Sequence, residues 1–412
     1  MIKKLTLCLC AITSLLISCS SDDDGVTTPE PQFEIPTSYS FIRDGQSTVN
    51  FPGQTQRIQM AEEIRSEFLN FSNLTLEATL NDMFANENDP FSNPDLNASS
   101  RQMRNTLADS EDFFINNSAE SAIIRAQFDD YITGQINEVL PNINVSAIAG
   151  AAGQLPDGSS TRYVNSNGVE FNQIFTKGLI GGIMLDQIVN NYVSTTLLDA
   201  GNNREDNDNA TPRNSSGTDT QMEHFWDEAY GYVYGLSQDE TNPNVTIGDD
   251  DNYLNRYVGL VDRDPDFNGI ADDIFEAFLT GRAAISQSEY TIRDEQSETI
   301  RELLSTVIAV RAVFYLQQGR NSLELPTPDY GAAFHDISEG LGFIVSLQFT
   351  RRPNSNQPYF TRAQVDAFIN DMLLGDGENG LWDVTSSTLN AVSETIAAQF
   401  NFTVEQAGDN QN

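Results

Sequence analysis

The chain has 412 residues, a formal net charge of −38 and a pI of about 4.1. This length allows a sizeable buried core, arranged as one large domain or two ordinary ones. A surface this negative repels phosphate backbones and anionic lipid head groups, which argues against nucleic-acid binding. The same charge attracts cations weakly and keeps an exposed protein in solution.

The first 18 residues predict an export signal that is not part of the fold. Lys3 and Lys4 are followed by an apolar run at 5–17 and by the tetrapeptide Leu-Ile-Ser-Cys ending at Cys19. This tetrapeptide resembles the bacterial lipobox, in which the cysteine is lipidated and becomes the first residue of the mature chain. We therefore predict that Cys19 carries the lipid. Removing residues 1–18, which hold two lysines and no acidic residue, would take the charge from −38 to −40.

The segment after Cys19 predicts a tether at 19–38. It begins Ser-Ser-Asp-Asp-Asp and continues with several prolines. The acidic start resembles the signal that sends Bacteroidetes lipoproteins to the outer leaflet of the outer membrane, although a merely solvated tether would have the same residues. No other stretch is long and apolar enough to span a bilayer. We expect the membrane to be a partner through the lipid, with the protein facing the cell exterior.

Cysteine chemistry is not expected in the mature chain. Cys8 and Cys10 lie in the predicted signal, and Cys19 is the lipidation site. No other cysteine remains for a disulfide, a thiolate metal site or a nucleophile.

Residues 39–405 are predicted to form one all-α domain, followed by a polar tail at 406–412. Aromatic and β-branched residues with Gly45 and Pro52 predict a short extended arm or hairpin at 39–60, and helical spacing begins at Gln54. Helices are predicted at about 54–70, 74–84, 110–140, 168–198, 272–279, 286–317, 332–349, 361–374 and 386–400. The helix at 168–198 is the most apolar and is expected to be central. A loop is predicted at 153–167, and strand signals are confined to the arm.

Two stretches repeat one pattern. His224–Leu236 reads HFWDEAYGYVYGL, and His335–Leu347 reads HDISEGLGFIVSL. Each has a histidine, a glutamate four residues later and a glycine seven residues later, and the chain contains only these two histidines. The pattern predicts a duplicated inner helix and a duplicated helical bundle, with pseudo-repeats at about 54–236 and 270–400.

Each predicted helix aligns an imidazole, a carboxylate and two small residues along one stripe. The stripes contain His224, Glu228, Gly231 and Gly235 in the first copy and His335, Glu339, Gly342 and Ser346 in the second. If the stripes face each other, the two histidines and two glutamates could bind iron, zinc or manganese. In the structural alternative, each histidine bonds its own glutamate or a backbone carbonyl, and the small residues allow close helix packing.

A second candidate metal site is a calcium loop. Asp264, Asp266, Asn268, Ile270 and Asp272 occupy positions one, three, five, seven and nine of the pattern, and Gly269 occupies position six. The usual closing carboxylate is missing, because Phe275 stands at position twelve. The alternative is an Asp/Asn turn that caps the following helix.

Several motifs resemble one family of Bacteroidetes lipoproteins, known as a domain of unknown function. They are YSFIRDGQSTVNFPGQTQR, FTKGLIGGIMLDQIVNNY, MEHFWDEAYGYVYG and FHDISEGLGF, and together they extend over nearly the whole mature chain. The resemblance implies genes near imelysin-like proteins and near outer-membrane transport components linked to iron. The duplicated all-α layout is also similar to imelysin-like proteins, which are paired helical bundles. Their GxHxxE signature is not present as such around His224 or His335, so peptidase activity is not carried over.

These features predict an outer-membrane lipoprotein on the cell surface. Its predicted role is that of a non-enzymatic accessory or binding protein in iron or other nutrient acquisition, with outer-membrane transport proteins as partners. The alternatives are an imelysin-like metal-dependent hydrolase and an interaction scaffold of a surface transport complex. The sequence contains no HExxH or GxSxG motif. A water-accessible cleft at both His/Glu pairs would favour the hydrolase, whereas fully buried pairs bonded internally would argue against it.

Overall fold

A computed structural model describes residues 33–71 and 77–409 of the chain. The predicted signal peptide, Cys19, most of the predicted tether and the last three residues of the tail lie outside the described residues. Phe33 and Glu34 belong to a first unit and have no regular secondary structure. The described residues from Ile35 onward form one compact unit, which is predominantly helical as predicted.

The arm is a hairpin, as predicted. Strand β1 (Ile42–Arg43) pairs antiparallel with β2 (Gln46–Ser47). Asp44 and Gly45, which connect the strands, have φ angles of 54° and 77°. Positive φ at both central residues matches the twist of a two-residue hairpin turn, and an Asp-Gly pair is favoured there.

Several helices follow the arm, and the first begins close to Gln54, where helical spacing begins in the sequence. In chain order they are α1 (Pro52–Phe68), α2 (Glu77–Ala85), α3 (Pro94–Asn97), α4 (Met103–Thr106) and α5 (Ser118–Gly134), and α5 continues as a π-helical turn at Gln135–Val139. Pro52 stands in the first turn of α1, where its missing N–H costs nothing. The helix predicted at 110–140 begins eight residues later than predicted, at Ser118, because residues 111–116 form turns.

A second hairpin corrects the prediction of a loop at 153–167. Strand β3 (Gly153–Asp157) pairs antiparallel with β4 (Ser160–Val164) across Gly158-Ser159, and Gly158 has a φ angle of 53°. Gly-Ser between two short runs is a hairpin signal. The signal was missed because Pro156 and the many small polar residues lower the strand propensity of these runs. Strands are therefore not confined to the arm.

The predicted central segment is buried almost throughout. It forms α6 (Phe171–Leu179) and two π-helical segments, Ile180–Leu185 and Ile188–Tyr192. An added Cβ at Gly182 would collide with Leu107, so this glycine allows the central segment to approach its neighbour closely.

Four helices follow, and two of them were not predicted. They are α7 (Thr195–Leu198), α8 (Asn203–Asp208), α9 (Gln221–Tyr234) and α10 (Leu254–Asp262). The sequence predicts a loop at 201–217, where most residues are polar, but helix α8 lies in this stretch. Helix α9 is the first predicted His helix, and α10 contacts it through Asn255, whose side chain donates to the Val233 carbonyl.

The C-terminal part contains the longest helix of the described chain. The elements are α11 (Ile270–Ser286), α12 (Tyr290–Leu323), α13 (Tyr330–Ser346), α14 (Arg362–Leu374), α15 (Ser386–Ala397) and α16 (Val404–Gly408). Thr361, with Gln364 three residues later, resembles a capping box in the sequence, and this capping box is present at the start of α14. The helix predicted at 386–400 is not the last, because Thr403 and Gln406 form another capping box that begins α16.

The helices pack side by side as a bundle-like core. Helix α12 lies between α11 and α13, and α13 also packs along α6. Gly281 of α11 receives the ring of Trp226, and Gly319 of α12 receives the side chain of Ile337. Of the helices in the described ranges, none is both long enough and apolar enough to cross a membrane.

Candidate functional site

Helix α9 begins with a capping box, although the sequence predicts Thr218 or Asp219 as the cap of this helix. The side chain of Thr220 accepts a hydrogen bond from the Glu223 backbone N–H, and the Glu223 carboxylate accepts one from the Thr220 N–H. The prediction of Thr218 or Asp219 as the cap is therefore wrong. Asp219 instead accepts a hydrogen bond of 2.6 Å from Arg213.

A buried ion network joins α9 and α11 to the arm. Arg282 of α11 is fully buried, and its Nε lies 2.9 Å from Asp227 Oδ1 and its Nη1 lies 3.0 Å from Glu223 Oε1. Its third nitrogen donates to the hydroxyl of Thr48 in the arm at 2.9 Å. Arg43 of the arm forms a bidentate pair with Glu223, with both distances 2.8 Å. Two arginines and two carboxylates thus neutralise one another inside the protein, as buried charges require.

Further contacts fix both ends of the arm to α9. The hydroxyl of Tyr39 donates to Asp227 Oδ1 at 2.8 Å, and its ring stacks on Tyr230 at a centroid distance of 3.6 Å. The backbone N–H of Asn50 donates to Asp227 Oδ2 at 3.2 Å. Burial raises the pKa of Asp227 to about 6, although Arg282 and Tyr39 oppose this rise. One buried carboxylate therefore orients the start and the end of the arm.

His224 also contacts the arm. Its Nδ1 lies 3.1 Å from the carbonyl oxygen of Asn50, and its Nε2 lies 3.6 Å from Glu228 Oε2. Burial lowers the pKa of His224 below its usual value, although Glu228 opposes this effect. Glu228 in turn accepts a hydrogen bond of 2.9 Å from Gln54 of α1. Both members of the first His/Glu pair thus have partners within the protein, His224 in the arm and Glu228 in α1.

His335 occupies the same position of the pattern but has different partners. Its Nδ1 lies 3.3 Å from the carboxylate of Glu170, the residue that precedes α6. Burial alone would lower the pKa of His335, but the ion pair with Glu170 raises it above its usual value. Glu339 pairs with Lys177 Nζ at 3.2 Å. Burial would raise the pKa of Glu339, but Lys177 and His335 lower it to about 2.

The small residues allow close helix packing, as the structural alternative predicts. An added Cβ at Gly231 would lie 2.5 Å from the Cβ of Phe51, and one at Gly342 would lie 2.5 Å from the Cβ of Lys177. The stripe of α9 therefore faces the start of α1, and the stripe of α13 faces α6. The expectation that the two stripes face each other is wrong, because each is covered by a helix from earlier in the chain.

The predicted transition-metal ligands thus lie in two separate environments. His224 and Glu228 have partners in the arm and α1, whereas His335 and Glu339 have partners at and within α6. Among the residues that the structure describes, no group of three or more His, Cys, Asp or Glu side chains is placed to hold a metal ion.

The side chains of the predicted calcium loop bond to different parts of the protein. Asp264 accepts from the backbone N–H of Asp266, and the carboxylate of Asp266 accepts from Gln406 at 3.3 Å. Asp272 accepts from Asn244 at 2.9 Å. The other two predicted ligands are Asn268, whose side chain donates to the Asp262 carbonyl, and Ile270, whose backbone N–H donates to the Phe267 carbonyl. The Asp262 carboxylate accepts from the N–H groups of Gly269 and Ala271 at the start of α11, an arrangement typical of a helix-capping turn.

A cleft of about 530 Å³ lies between the arm, the first turn of α1 and the loop after α9. Its walls are formed by Tyr39, Ser40, Ser47, Val49, Asn50, Phe51, Pro52, Thr55, Gln56, Glu240 and Thr241. Ser40, Ser47, Pro52 and Glu240 are exposed, so the cleft opens to solvent. The arm supplies one wall of the cleft, and the buried ion network holds the arm. The network therefore supports this wall.

Sequence reasoning did not identify this cleft or the network that supports it. One signal was present, since Arg282 interrupts an apolar helical run, FLTGRAAI, and must find buried acidic partners. Glu223 and Asp227 are four residues apart on α9 and therefore share a face. No local pattern connects them to Tyr39 or Thr48, which lie more than 170 residues earlier in the chain.

Comparison with known proteins places most of the chain in one family. The family described as "Domain of unknown function (DUF4856)" matches residues 36–403, which include the arm, both His helices and the cleft. Neither the curated proteins nor the solved structures gave a significant match to the chain.

Proposed function

This chain belongs to the family of the domain of unknown function DUF4856, and from this premise we propose that it is a non-enzymatic binding protein. In this proposal it is a lipid-anchored protein of the outer membrane that captures a small ligand on the cell surface for nutrient acquisition, of iron or of another nutrient. The observation that carries the proposal is the cleft between the arm and α1.

The cleft has the size and construction of a ligand site. Its volume of about 530 Å³ falls within the range of small-molecule pockets, and its walls combine four apolar or aromatic residues with seven polar ones. The arm wall is fixed by Arg282, Asp227 and Glu223, so the site is held in shape before a ligand arrives. A preorganised wall reduces the entropy lost on binding.

The environment of the histidines supports binding rather than hydrolysis. A metal-dependent hydrolase needs an open coordination position and a water molecule activated by the metal. Here His224 bonds to Asn50, and His335 bonds to Glu170. Neither histidine lines the cleft. The imidazoles therefore support the arm and the helix packing, which agrees with a protein that binds a ligand without converting it.

The proposed location rests on the sequence. The lipobox ending at Cys19 and the acidic residues after it support a lipid anchor on the outer membrane. The chain would then present its cleft near the transport proteins that we propose as partners. Their position in the membrane would let a captured ligand pass directly to a channel or receptor.

Filling the cleft tests this proposal. A Ser40→Trp variant places a large ring at the cleft wall, and a Ser159→Trp variant places the same ring in the exposed turn between β3 and β4. Each purified full-length protein would be incubated with culture medium, and the retained small molecules would be identified by mass spectrometry. We expect the wild type and Ser159→Trp to retain one compound that Ser40→Trp loses. Retention of the same compounds by all three proteins would refute the cleft as the binding site.

A further inference from the structure

We propose that the cleft binds the primary ammonium group of a small organic cation, with the carboxylate of Glu240 as its partner. This inference rests on the proposed function and adds the chemical class of the ligand. Three observations support it: the charge of Glu240 in the cleft wall, the hydrogen-bond acceptors in the same wall, and the negative electrostatic potential of the whole chain.

Glu240 is the only charged side chain among the described residues that line the cleft. Its backbone carbonyl accepts a hydrogen bond of 2.7 Å from the Tyr230 hydroxyl, which fixes the backbone of Glu240 in the cleft wall. Within the described part of the chain, its carboxylate has no hydrogen bond and no ion pair. Partial burial also raises the pKa of Glu240, as expected for a carboxylate that lacks a cationic neighbour. An ammonium group would supply that neighbour.

Other groups in the wall suit the remaining N–H bonds of an ammonium ion. Ser40 presents a hydroxyl and Asn50 an amide, and both can accept a hydrogen bond. The wall of Val49 and Pro52 is apolar and can contact the carbon chain of the ligand. Thr55 can also accept, because its hydroxyl donates its hydrogen to the Gly235 carbonyl at 2.9 Å and its oxygen lone pairs stay free. The wall thus offers several acceptors together with an apolar surface.

The charge of the chain selects against anions. With a net charge of −38, the field attracts cations toward the surface and raises their local concentration. A carboxylate or phosphate ligand would meet this field and Glu240 without a basic residue in the cleft wall. The long-range attraction is screened at physiological salt, so the specificity must come from direct contact with Glu240.

Calorimetric titration of the full-length protein with matched probes tests the inference. The probes are n-butylammonium, the neutral n-butanol and the anionic butyrate, all at about 0.15 M ionic strength to suppress surface binding. We expect n-butylammonium to bind at least ten times more tightly than either other probe. Glu240→Gln should remove this preference, whereas Glu378→Gln, which removes one charge at an exposed position outside the cleft, should retain it.

The outcomes separate this inference from the proposed function. Equal or tighter binding of n-butanol or butyrate, or an ammonium affinity unchanged by Glu240→Gln, would overturn the ammonium site. The cleft would still be a ligand site if Ser40→Trp abolished retention of the compound from culture medium. Failure of n-butylammonium to bind the wild type would also overturn the inference, whatever the retention experiment shows. Thermal unfolding of each variant would verify that the fold is intact.

Discussion

Arg282 and Asp227 are both completely buried, and Arg282 Nε donates to Asp227 Oδ1 at a distance of 2.9 Å. The pair connects α11 to α9, and Tyr39 and Asn50 bring the arm to the same carboxylate. Burying such charges is costly unless every group finds a partner. The structural role of this pair is to hold the arm as one wall of the cleft.

Removal of Arg282 should therefore destabilise the protein strongly. Arg282→Met leaves the carboxylates of Asp227 and Glu223 without their buried partner, and we expect a loss of about 3–5 kcal/mol in the free energy of unfolding. The control is Arg263→Met, because Arg263 pairs with Asp249 on the surface, where both side chains are largely exposed. Its loss should be below about 1 kcal/mol. Equal losses in urea denaturation of the two variants would contradict a special role for Arg282.

The two histidines should titrate at different pH values. Burial lowers the pKa of His224, whereas the ion pair with Glu170 raises the pKa of His335. The chain has no other histidine, so NMR of the imidazole protons should show two resonances, which His224→Gln and His335→Gln would assign. We expect the resonance of His335 to have the higher midpoint. The opposite order of the two midpoints, or two equal midpoints, would contradict the different contacts of His224 and His335.

The ion pair of Glu339 and Lys177 should make stability depend on pH. The pKa of Glu339 is about 2 in the folded protein, against an ordinary value of 4.5. Because this pKa is lowered by folding, the contribution is present above pH 4.5 and is lost as the pH falls toward 2. Each pKa unit corresponds to about 1.36 kcal/mol, so about 2 kcal/mol should be lost between pH 4.5 and pH 3.

Glu339→Gln isolates this contribution. The difference in unfolding free energy between wild type and variant should be largest near pH 7 and should shrink by about 2 kcal/mol at pH 3. Subtracting the variant removes the titration of the other carboxylates from the comparison. A difference that stays constant from pH 7 to pH 3 would exclude a lowered pKa for Glu339.

Close packing of α13 on α6 should make Gly342 sensitive to a single methyl group. An added Cβ would lie 2.5 Å from the Cβ of Lys177, so Gly342→Ala should cost about 1–3 kcal/mol of stability. Gly340 lies in the same helix, and there the nearest atom is Leu316 Cδ2 at 3.1 Å, the end of a flexible side chain. Gly340→Ala should therefore cost less, because alanine also favours the helix. A larger decrease in melting temperature for Gly340→Ala than for Gly342→Ala would contradict this packing.

Local signals in the sequence predicted most of the helices and the arm. Helical spacing revealed α1 and α13, and the Thr361–Gln364 pair marked the start of α14. The hairpin β3–β4 and helix α8 were missed because their residues have the composition of loops. Propensity is a weak guide where tertiary contacts decide the local structure.

The functional interpretation of the repeat was harder to predict. The pattern revealed that His224 and His335 occupy equivalent positions and that glycines allow close packing. It could not reveal which helix covers each stripe, because the covering helices α1 and α6 lie far away in the sequence. For the same reason, the pattern left open whether the four His and Glu side chains meet, and in the structure each pair has its own partners.

The central claim is that α9 holds the arm in place and that the arm builds the cleft. Hydrogen–deuterium exchange on Arg43→Met tests it most directly, because Arg43 joins the arm to Glu223 without being fully buried. The backbone N–H groups of Tyr39, Thr48 and Asn50 donate to Thr241, Phe41 and Asp227, respectively. We expect peptides from 39–50 to exchange at least ten times faster than in the wild type, while peptides from α13 at 330–346 remain protected. Unchanged exchange at 39–50, or an equal increase in both regions, would contradict the claim.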